Sequence, residues 1–397
     1  MRSAWLLPEH IADVLPEQAR RIEALRRGLL DRARSYGFEL IIPPLVEHLE
    51  ALLSGTGHGL DLSTFKLVDQ LSGRMLGVRA DTTPQAARID AHLLNREGVT
   101  RLCYCGPVLH TRPTGLAATR EPLQFGAEIF GHAGLEADLE VAELTLDCLQ
   151  AAVARPLIID LADARVLRGV LAGVPVQAET LQDIALALSA KDAPALKVLA
   201  RGLPAAAQGA LNALLHLYGG EEVLDAAYRA LPDRPLIRAA LEQLGWLASH
   251  LRSAHPGVGV GFDLSDMSGY AYYSGPRFAI FAEGCTDALA RGGRYDEVGA
   301  VFGRNRPAVG FSLDLKSLAE LAAAQPAPGA VRAPWAEDPG LRSAVRRLRE
   351  SGETVICGLP GQDAEGQTVS CDRELLAVDG HWVLRAIPLR AARMKTE

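Results

Sequence analysis

The most informative hydrophobic pattern of the chain lies between residues 123 and 130. Apolar Leu123, Phe125, Ala127 and Ile129 alternate with Gln124, Gly126, Glu128 and Phe130. Successive side chains of a strand point to opposite faces, so the pattern predicts a strand with an amide and a carboxylate on one face. The glycine between them predicts a place where a ligand approaches the backbone. Two interpretations remain: an edge strand with one solvated face, or a strand in a binding site.

The neighbouring segments predict hairpins. Residues 106–115 begin apolar and become polar, which indicates a strand that continues through a glycine-containing loop into the strand at 123–130. Residues 65–69 and 75–79 flank a polar turn and predict a second hairpin. Its last strand runs on toward Pro84, which would place Asp81 and Thr83 on one face. The same Asp-Thr-Thr-Pro residues are also ordinary turn chemistry.

The N-terminal part of the chain predicts a helix followed by a strand. A stripe of Ile22, Leu25, Leu29 and Ala33 begins near Glu17 and indicates an amphipathic helix. Gly37 is predicted to end this helix. Residues 38–47 are mostly apolar and contain a proline pair, which predicts a strand ended by Pro44.

The middle of the chain is predicted to be largely helical. Residues 134–140 open a helix with an acidic first turn, which suits the positive end of the helix dipole. A short buried strand is predicted at 156–161. Residues 163–250 are rich in alanine and leucine and carry no chemical motif; their helices are predicted to break at Gly173, Pro194, Gly202, Gly219 and Pro232.

Strand patterns return after residue 252. They cover residues 258–264, 277–281 and 307–314, and a linker with two prolines follows near residue 325. The tail predicts one helix at 341–349 and strands around Val355 and Trp382. We therefore divide the chain into a core at 1–160, a helical insertion at 161–252, returning core strands at 253–324, and a linker with a small C-terminal domain at 325–397.

Composition excludes several classes of function. The 397 residues carry a net charge of −7 without a lysine- or arginine-rich cluster, which argues against nucleic acid as a partner. The six cysteines lack metal-binding spacing, and Cys103 and Cys105 form only a C-x-C pair. No signal peptide or membrane-length apolar run is present. We expect a cytoplasmic protein without metal, cofactor or membrane partner.

Three stretches resemble the class II aminoacyl-tRNA synthetases. Residues 17–47 are similar to motif 1, residues 106–131 to motif 2, and residues 292–296 together with 307–318 to motif 3. The resemblance implies an α+β fold, with an antiparallel sheet flanked by helices, a helical insertion and a small C-terminal α/β tail. It also implies a dimer interface at motif 1, with Pro44 at the motif proline.

Two further segments resemble histidyl-tRNA synthetases within that class. Residues 79–84 are similar to a segment that holds the amino group of histidine, and residues 268–275 are similar to a signature with paired tyrosines. The resemblance implies a histidine site made of Asp81, Thr83, Gln124, Glu128, Tyr272 and Tyr273. The tail is too small for the anticodon-binding domain of that family and is interpreted as a reduced version of it.

The chain departs from the synthetase pattern where ATP is bound. Synthetases hold the triphosphate with arginines, whose fork matches phosphate oxygens. Here the motif 2 arginine position holds His110, and the arginine of the histidyl signature is Ser268. The glycine and arginine of motif 3 are Asp314 and Ser317. Arg112 shares a predicted face with His110 and is a possible substitute for the motif 2 arginine only.

This combination resembles the regulatory subunits of ATP phosphoribosyltransferase, which are non-catalytic relatives of histidyl-tRNA synthetase. The resemblance implies assembly with the short catalytic subunit at the first step of histidine biosynthesis, self-association as a dimer, and histidine as effector, with tRNA not expected. Two alternatives stay open: an active histidyl-tRNA synthetase, and a stand-alone amino-acid-binding paralogue. The histidine contacts are also compatible with relics of ancestry that bind nothing.

Overall fold

The computed structural model describes residues 6–53, 57–113, 115, 118–296, 298, 300, 303–322, 329–360 and 370–387. The chain divides into two compact units, Met1–Ala323 and Ala324–Glu397. The helices of the first unit are α1 Pro16–Ser35, α2 Leu49–Leu53, α3 Gly57–Ser63, α4 Thr83–Arg88, α5 Leu135–Ala152, α6 Ala164–Val170, α7 Ala178–Ser189, α8 Ala193–Leu199, α9 Ala205–Leu214, α10 Glu222–Ala230, α11 Pro235–Ala254 and α12 Leu315–Leu321. Its strands are β1 Glu39–Leu40, β2 Val46–His48, β3 Phe65–Val68, β4 Met75–Val78, β5 Thr100–Pro107, β6 Leu123–Phe130, β7 Leu157–Asp163, β8 Tyr218–Gly219, β9 Gly259–Asp263, β10 Pro276–Ala282, β11 Ala290–Arg294 and β12 Ala308–Asp314.

A nine-stranded sheet of described residues forms the centre of this unit, in the order β1-β5-β6-β12-β11-β10-β7-β9-β8. Within the sheet, the six strands β5, β6, β12, β11, β10 and β7 are each antiparallel to the next, which confirms the predicted antiparallel sheet. Two parallel pairs, β1 with β5 and β7 with β9, extend it on either side. Strand β6 lies between β5 and β12, so the edge-strand interpretation was wrong: both faces of β6 are covered.

The two faces of β6 serve different sides of the sheet. Phe125, Ala127 and Ile129 belong to the main hydrophobic core, together with the buried face of α5. Phe130 belongs to a second cluster, which contains Tyr104 and Tyr295. The alternation that the sequence showed thus separates a packed helical side from a side that carries polar groups.

The N-terminal helix is confirmed, and Gly37 after it has a positive φ of 83°. The single strand predicted at 38–47 was wrong. Two short strands take its place: β1 joins the large sheet, and β2 pairs with β4 in a separate three-stranded sheet. Pro43 and Pro44 lie between them, and two residues without a backbone N–H interrupt the hydrogen bonds of a strand.

The hairpin predicted at 65–79 is confirmed as β3 and β4. The continuation of its last strand to Thr83 was wrong, because β4 ends at Val78 and Thr83 is the first residue of α4. Pro84 follows at the start of that helix, where proline is preorganised and loses no hydrogen bond.

The Ala- and Leu-rich region forms helices as predicted, with two exceptions. The dipeptide β8 adds to the sheet edge, and Pro194 lies in the first turn of α8, where proline is tolerated, rather than at a break. Asp192 caps that helix by accepting the Ala195 N–H at 2.9 Å. Helix α11 packs on α5 and α6. The division of this unit at residues 160 and 252 stays a proposal.

The second unit contains β13 Ala330–Ala333, α13 Pro339–Glu350, β14 Val355–Cys357, β15 Cys371–Val378 and β16 His381–Ala386. Its sheet has the order β14-β13-β15-β16, with β13 parallel to both neighbours. The predicted helix and the strands at Val355 and Trp382 are confirmed; β13 and β15 were missed. Among the helices that the structure describes, none has the length and hydropathy of a membrane span.

Candidate functional site

A cavity of about 260 Å³ lies against the polar face of the large sheet. It is lined by Asp81, Thr83, Glu128, Ser268, Gly269, Tyr272, Tyr273, Arg277, Arg291, Tyr295, Gly310, Phe311 and Ser312. Pockets for drug-sized ligands measure roughly 300–1,000 Å³. The cavity is therefore of a size for a small metabolite such as an amino acid.

Glu128 forms the floor of this cavity and is 1% exposed. Its Oε1 accepts hydrogen bonds from Thr83 Oγ1 at 3.0 Å and from the Tyr104 hydroxyl at 2.8 Å. Its Oε2 accepts a hydrogen bond from the Tyr295 hydroxyl. These donors come from three separate segments, so the carboxyl group is fixed in position by the fold.

Burial raises the pKa of Glu128 to about 8, because removing a carboxylate from water disfavours its charged form. The hydrogen bonds from Tyr295, Tyr104 and Thr83 act in the opposite direction and offset part of this effect. The group is thus mostly protonated near pH 7. A cationic group placed beside it would favour its ionised form.

The glycine between Gln124 and Glu128 does not open the site to a ligand, contrary to the prediction. A Cβ at Gly126 would lie 2.4 Å from the Tyr104 hydroxyl, so the tyrosine fills that space. A Cβ at Gly310 of β12 would lie 1.5 Å from Glu128 Oε2. The two glycines admit the protein's own polar side chains and so shape the cavity floor.

Asp81 and Gln124 act together at one end of the cavity. Gln124 Nε2 donates to Asp81 Oδ1 at 2.7 Å, and the Thr83 backbone N–H donates to the same oxygen at 3.1 Å. The Gln124 carbonyl oxygen accepts the Thr82 N–H at 2.9 Å. Gln124 therefore positions the Asp81 loop and does not line the cavity. Within the described residues no donor binds Asp81 Oδ2.

Three tyrosines form an aromatic wall. Tyr272 stacks on Tyr295 with ring centroids 4.9 Å apart, and Tyr273 meets Tyr272 edge-on at 5.3 Å. Such aromatic pairs contribute beyond the area they bury. The predicted pair Tyr272 and Tyr273 thus lies at the cavity, supported by Tyr295 of the segment after β11.

Two arginines that the sequence analysis did not assign lie at the cavity near Ser268. Arg277 Nη2 pairs with Asp266 Oδ2 at 2.8 Å, and Arg291 Nη1 contacts the same oxygen at 3.4 Å. Ser268 donates its N–H and its hydroxyl to Asp266 Oδ1. The signal that could have identified Arg277 from the sequence is its position as a charged residue at the start of an otherwise apolar strand.

His110 and Arg112 lie beyond the end of β5. His110 Nε2 donates to the Ala80 carbonyl at 2.9 Å, and its backbone N–H donates to the Arg120 carbonyl at 2.7 Å. The residues from 108 to 113 do not continue β5, so the shared strand face predicted for His110 and Arg112 was wrong. Arg112 is exposed in a bend.

Asp314 and Ser317 form the N-terminal cap of α12. Asp314 accepts the backbone N–H groups of Lys316 and Ser317 at 3.0 and 3.2 Å, and the Ser317 hydroxyl at 2.6 Å. Its Oδ1 also accepts the Leu123 N–H at 2.9 Å. Side-chain oxygens at this position satisfy amides that have no partner within the helix. Asp314 is thus committed to capping α12, and the Ser317 hydroxyl is committed to its hydrogen bond with Asp314.

The assembled site thus brings together Asp81, Thr83, Glu128, Tyr272 and Tyr273 as the sequence predicted. Tyr104 and Tyr295 were missed, although Tyr104 lies between Cys103 and Cys105, and Tyr295 lies in the segment 292–296 that resembles part of motif 3. Among the described residues, no cluster of three or more His, Cys, Asp or Glu side chains is arranged to hold a metal ion. The size and lining of the cavity suit a small polar molecule.

Comparison with known proteins gives the family. Residues 10–318 match the model of the family described as "Histidyl-tRNA synthetase", and residues 328–385 match "ATP phosphoribosyltransferase subunit HisZ C-terminal domain". The ATP phosphoribosyltransferase regulatory subunit of Variovorax paradoxus (strain S110) is 62% identical over 97% of this chain and 100% of its own length. The protein of that name from Albidiferax ferrireducens is 60% identical over the same shares.

A solved structure agrees with these sequence relatives. It is described as "an ATP phosphoribosyltransferase regulatory subunit/histidyl-tRNA synthetase from Bacillus halodurans C", and it superposes with a TM-score of 0.79 at 25% identity, covering 93% of this chain and 95% of the other. The histidyl-tRNA synthetase-like fold and the C-terminal match occur together along one chain. The chain belongs to the family of ATP phosphoribosyltransferase regulatory subunits.

Proposed function

We propose that the chain is the non-catalytic regulatory subunit of a hetero-oligomeric ATP phosphoribosyltransferase, and that it binds histidine in the cavity above Glu128. One observation carries this proposal. The cavity keeps carboxyl groups, a hydroxyl and an aromatic wall suited to a small amino acid, whereas the positions where synthetases place ATP-binding arginines hold groups that are engaged elsewhere.

The absence of these arginines argues against the reaction of histidine with ATP to form an aminoacyl-adenylate, which a synthetase must carry out. A triphosphate in an active site needs fixed positive charge, and removing a single preorganised group of this kind costs about 10²–10³ in rate. His110 donates to a backbone carbonyl, Ser268 donates to Asp266, and Ser317 donates to Asp314, which caps α12. Asp314 adds a negative charge at the fourth position. Arg112 is exposed and does not replace the other three.

The groups that the cavity keeps support histidine as the ligand. Asp81 Oδ2 is an acceptor at the cavity for an α-ammonium group. Glu128 lies on the floor, where an imidazole N–H would meet a carboxyl group. Tyr272 and Tyr273 supply flat surfaces for a planar ring. Asp81, Thr83 and Gln124 are joined by hydrogen bonds, so the ammonium end of the site is fixed before any ligand binds.

We further propose a dimer through the motif 1 segment. Strand β1 is the last strand of the large sheet on its side, and the apolar side chains that follow it are exposed. Ile42 is 83% exposed, and Leu40, Leu45 and Val46 are also exposed, as is Pro44. Contiguous exposed apolar side chains beside a sheet edge are typical of a protein interface. A second copy across a two-fold axis would cover them.

The partner is proposed to be the short-form catalytic subunit. The C-terminal unit matches a domain that carries the name of the phosphoribosyltransferase subunit, which supports this partner over tRNA. Mixing the purified chain with a short-form catalytic subunit tests the assignment. A stable complex and a rise in ATP phosphoribosyltransferase activity are expected, and free catalytic subunit with unchanged activity would contradict the assignment.

An active histidyl-tRNA synthetase is the second candidate, favoured only by the match of residues 10–318. Histidine-dependent ATP–pyrophosphate exchange separates the two. A stand-alone amino-acid-binding paralogue would bind histidine but leave the catalytic subunit unchanged in the mixing experiment.

A further inference from the structure

The cavity has a second charged end that is independent of Asp81 and Glu128. Arg277 lies on β10 and Arg291 on β11, adjacent antiparallel strands, and both side chains line the cavity. The position where histidyl-tRNA synthetases carry an arginine is Ser268, on the loop before β10. Positive charge is therefore present at the cavity, but it comes from strands rather than from that loop.

The hydrogen bonds of Arg277 are incomplete. Its Nη1 donates to the Asp266 carbonyl at 2.6 Å and its Nη2 to Asp266 Oδ2 at 2.8 Å. Its Nε is buried and has no hydrogen-bond partner in the part of the chain that the structure describes. The residue is 3% exposed, and unpaired buried donors of this kind are uncommon in native proteins. An additional acceptor beside Arg277 would remove that cost.

Two guanidinium groups at this end depend on one carboxylate. Asp266 is a single carboxylate shared by two guanidinium groups, at 2.8 and 3.4 Å. Ser268 donates to its other oxygen and adds no charge. The Arg277 guanidinium also lies 5.2 Å from the ring centroid of Tyr273. Two guanidinium groups that share one carboxylate favour an additional anionic group, supplied by a ligand, at this end.

The two ends of the cavity are complementary to a zwitterion. The Asp81 end presents an acceptor and a negative charge; the Arg277 end presents donors and a positive charge. Histidine carries an α-ammonium and a carboxylate on the same carbon, so one molecule satisfies both ends. A ligand without the carboxylate would leave the guanidinium donors without their partner.

We propose that Arg277 and Arg291 bind the carboxylate of the amino acid in this cavity and take the place of the arginine that is absent at Ser268. This inference rests on the proposed histidine site and specifies how the ligand is oriented there. It makes the carboxylate a determinant of recognition, so histamine, which lacks that group, is the informative comparison.

Calorimetry on the full-length chain tests the inference with two ligands, L-histidine and histamine. The wild-type chain is expected to bind histidine about ten- to hundredfold more tightly than histamine, which is typical for one charge-assisted contact. In Arg277→Gln and in Arg291→Gln this ratio is expected to fall toward one, through loss of histidine affinity rather than gain for histamine. Arg101→Gln is the control, since Arg101 pairs with Glu140 and does not line the cavity.

The outcomes separate the inference from the proposed function. A ratio near one in the wild-type chain, or an unchanged ratio in both glutamine variants, overturns the carboxylate assignment and leaves the histidine site intact. Absence of histidine binding to the wild-type chain overturns both. Thermal unfolding checks that each variant is folded. Arg291→Gln carries the test if Arg277→Gln does not fold, because the Arg291 side chain is 44% exposed.

Discussion

The carboxylate of Asp314 accepts a hydrogen bond from the backbone N–H of Leu123 at 2.9 Å. This contact joins the first residue of β6 to the residue that caps α12, across 191 positions of sequence. The same oxygen accepts the Lys316 N–H at 3.0 Å. A residue that synthetases would keep as glycine beside ATP here joins two elements of the fold.

Replacing Asp314 with alanine is predicted to destabilise the chain by about 1–3 kcal/mol. The variant loses a helix cap, which costs about 1 kcal/mol, and it also leaves the half-buried Leu123 N–H without its acceptor. Urea unfolding measures the change. Asp192→Ala is the matched control, because Asp192 caps the exposed start of α8 and its loss is expected to cost only the cap. Equal losses in the two variants would contradict the role of the Leu123 contact.

Histidine-dependent ATP–pyrophosphate exchange is predicted to be absent. The side chains at 110, 268 and 317 are engaged in hydrogen bonds within the fold, and the group at 314 is an acid, so these four positions supply no fixed positive charge to a triphosphate. Single restorations, His110→Arg, Ser268→Arg and Ser317→Arg, are expected to leave exchange at the level of a buffer blank, because each restores one contact of several. Clear exchange in the wild-type chain would refute the non-catalytic assignment.

Stability is predicted to depend on pH through Glu128. Its folded pKa of about 8 lies above the ordinary value of 4.5, so the folded state binds the proton more tightly than the unfolded state. The contribution is fully present below about pH 4.5 and is lost as pH rises through 8, at no more than about 1.4 kcal/mol per pH unit. Glu128→Gln cannot ionise. The free energy of unfolding of wild type relative to this variant should fall from pH 5 to pH 8, and parallel profiles would contradict the buried, protonated carboxyl.

Asp81→Asn is predicted to weaken histidine binding about ten- to hundredfold. The substitution keeps shape and removes the charge that faces the α-ammonium group. Calorimetry measures it, with Asp183→Asn on the exposed face of α7 as the control, for which no change is expected. Unchanged affinity in Asp81→Asn would place histidine elsewhere on the chain.

The elements around the cavity were largely predictable because their patterns are local. The alternation of apolar and polar residues predicted β6, and the apolar stripe predicted α1. The polar turn between two strand-like segments predicted the β3–β4 hairpin. The failures have physical causes as well. The proline pair at 43 and 44 ends β1, and the chain then enters a second sheet as β2. Pro84 is tolerated in the first turn of α4, so a helix begins where the sequence pattern predicted a continued strand.

The site was less predictable because its geometry depends on strand register. Tyr104 reaches Glu128 only because β5 pairs with β6 so that Tyr104 lies opposite Gly126. That register also explains why Gly126 faces a tyrosine and not a ligand. Likewise, Arg277 and Arg291 share Asp266 because β10 and β11 are neighbours, a fact that neither strand's sequence contains.

The regulatory role is tested most directly by the rate of ATP phosphoribosyltransferase catalysis by a short-form catalytic subunit, measured with and without this chain over a histidine titration. Adding the chain is predicted to raise the rate, and histidine is then predicted to lower it. With Asp81→Asn in the complex, about ten times more histidine should be needed for the same inhibition. A rate that the chain leaves unchanged at every histidine concentration would contradict a regulatory role for the chain.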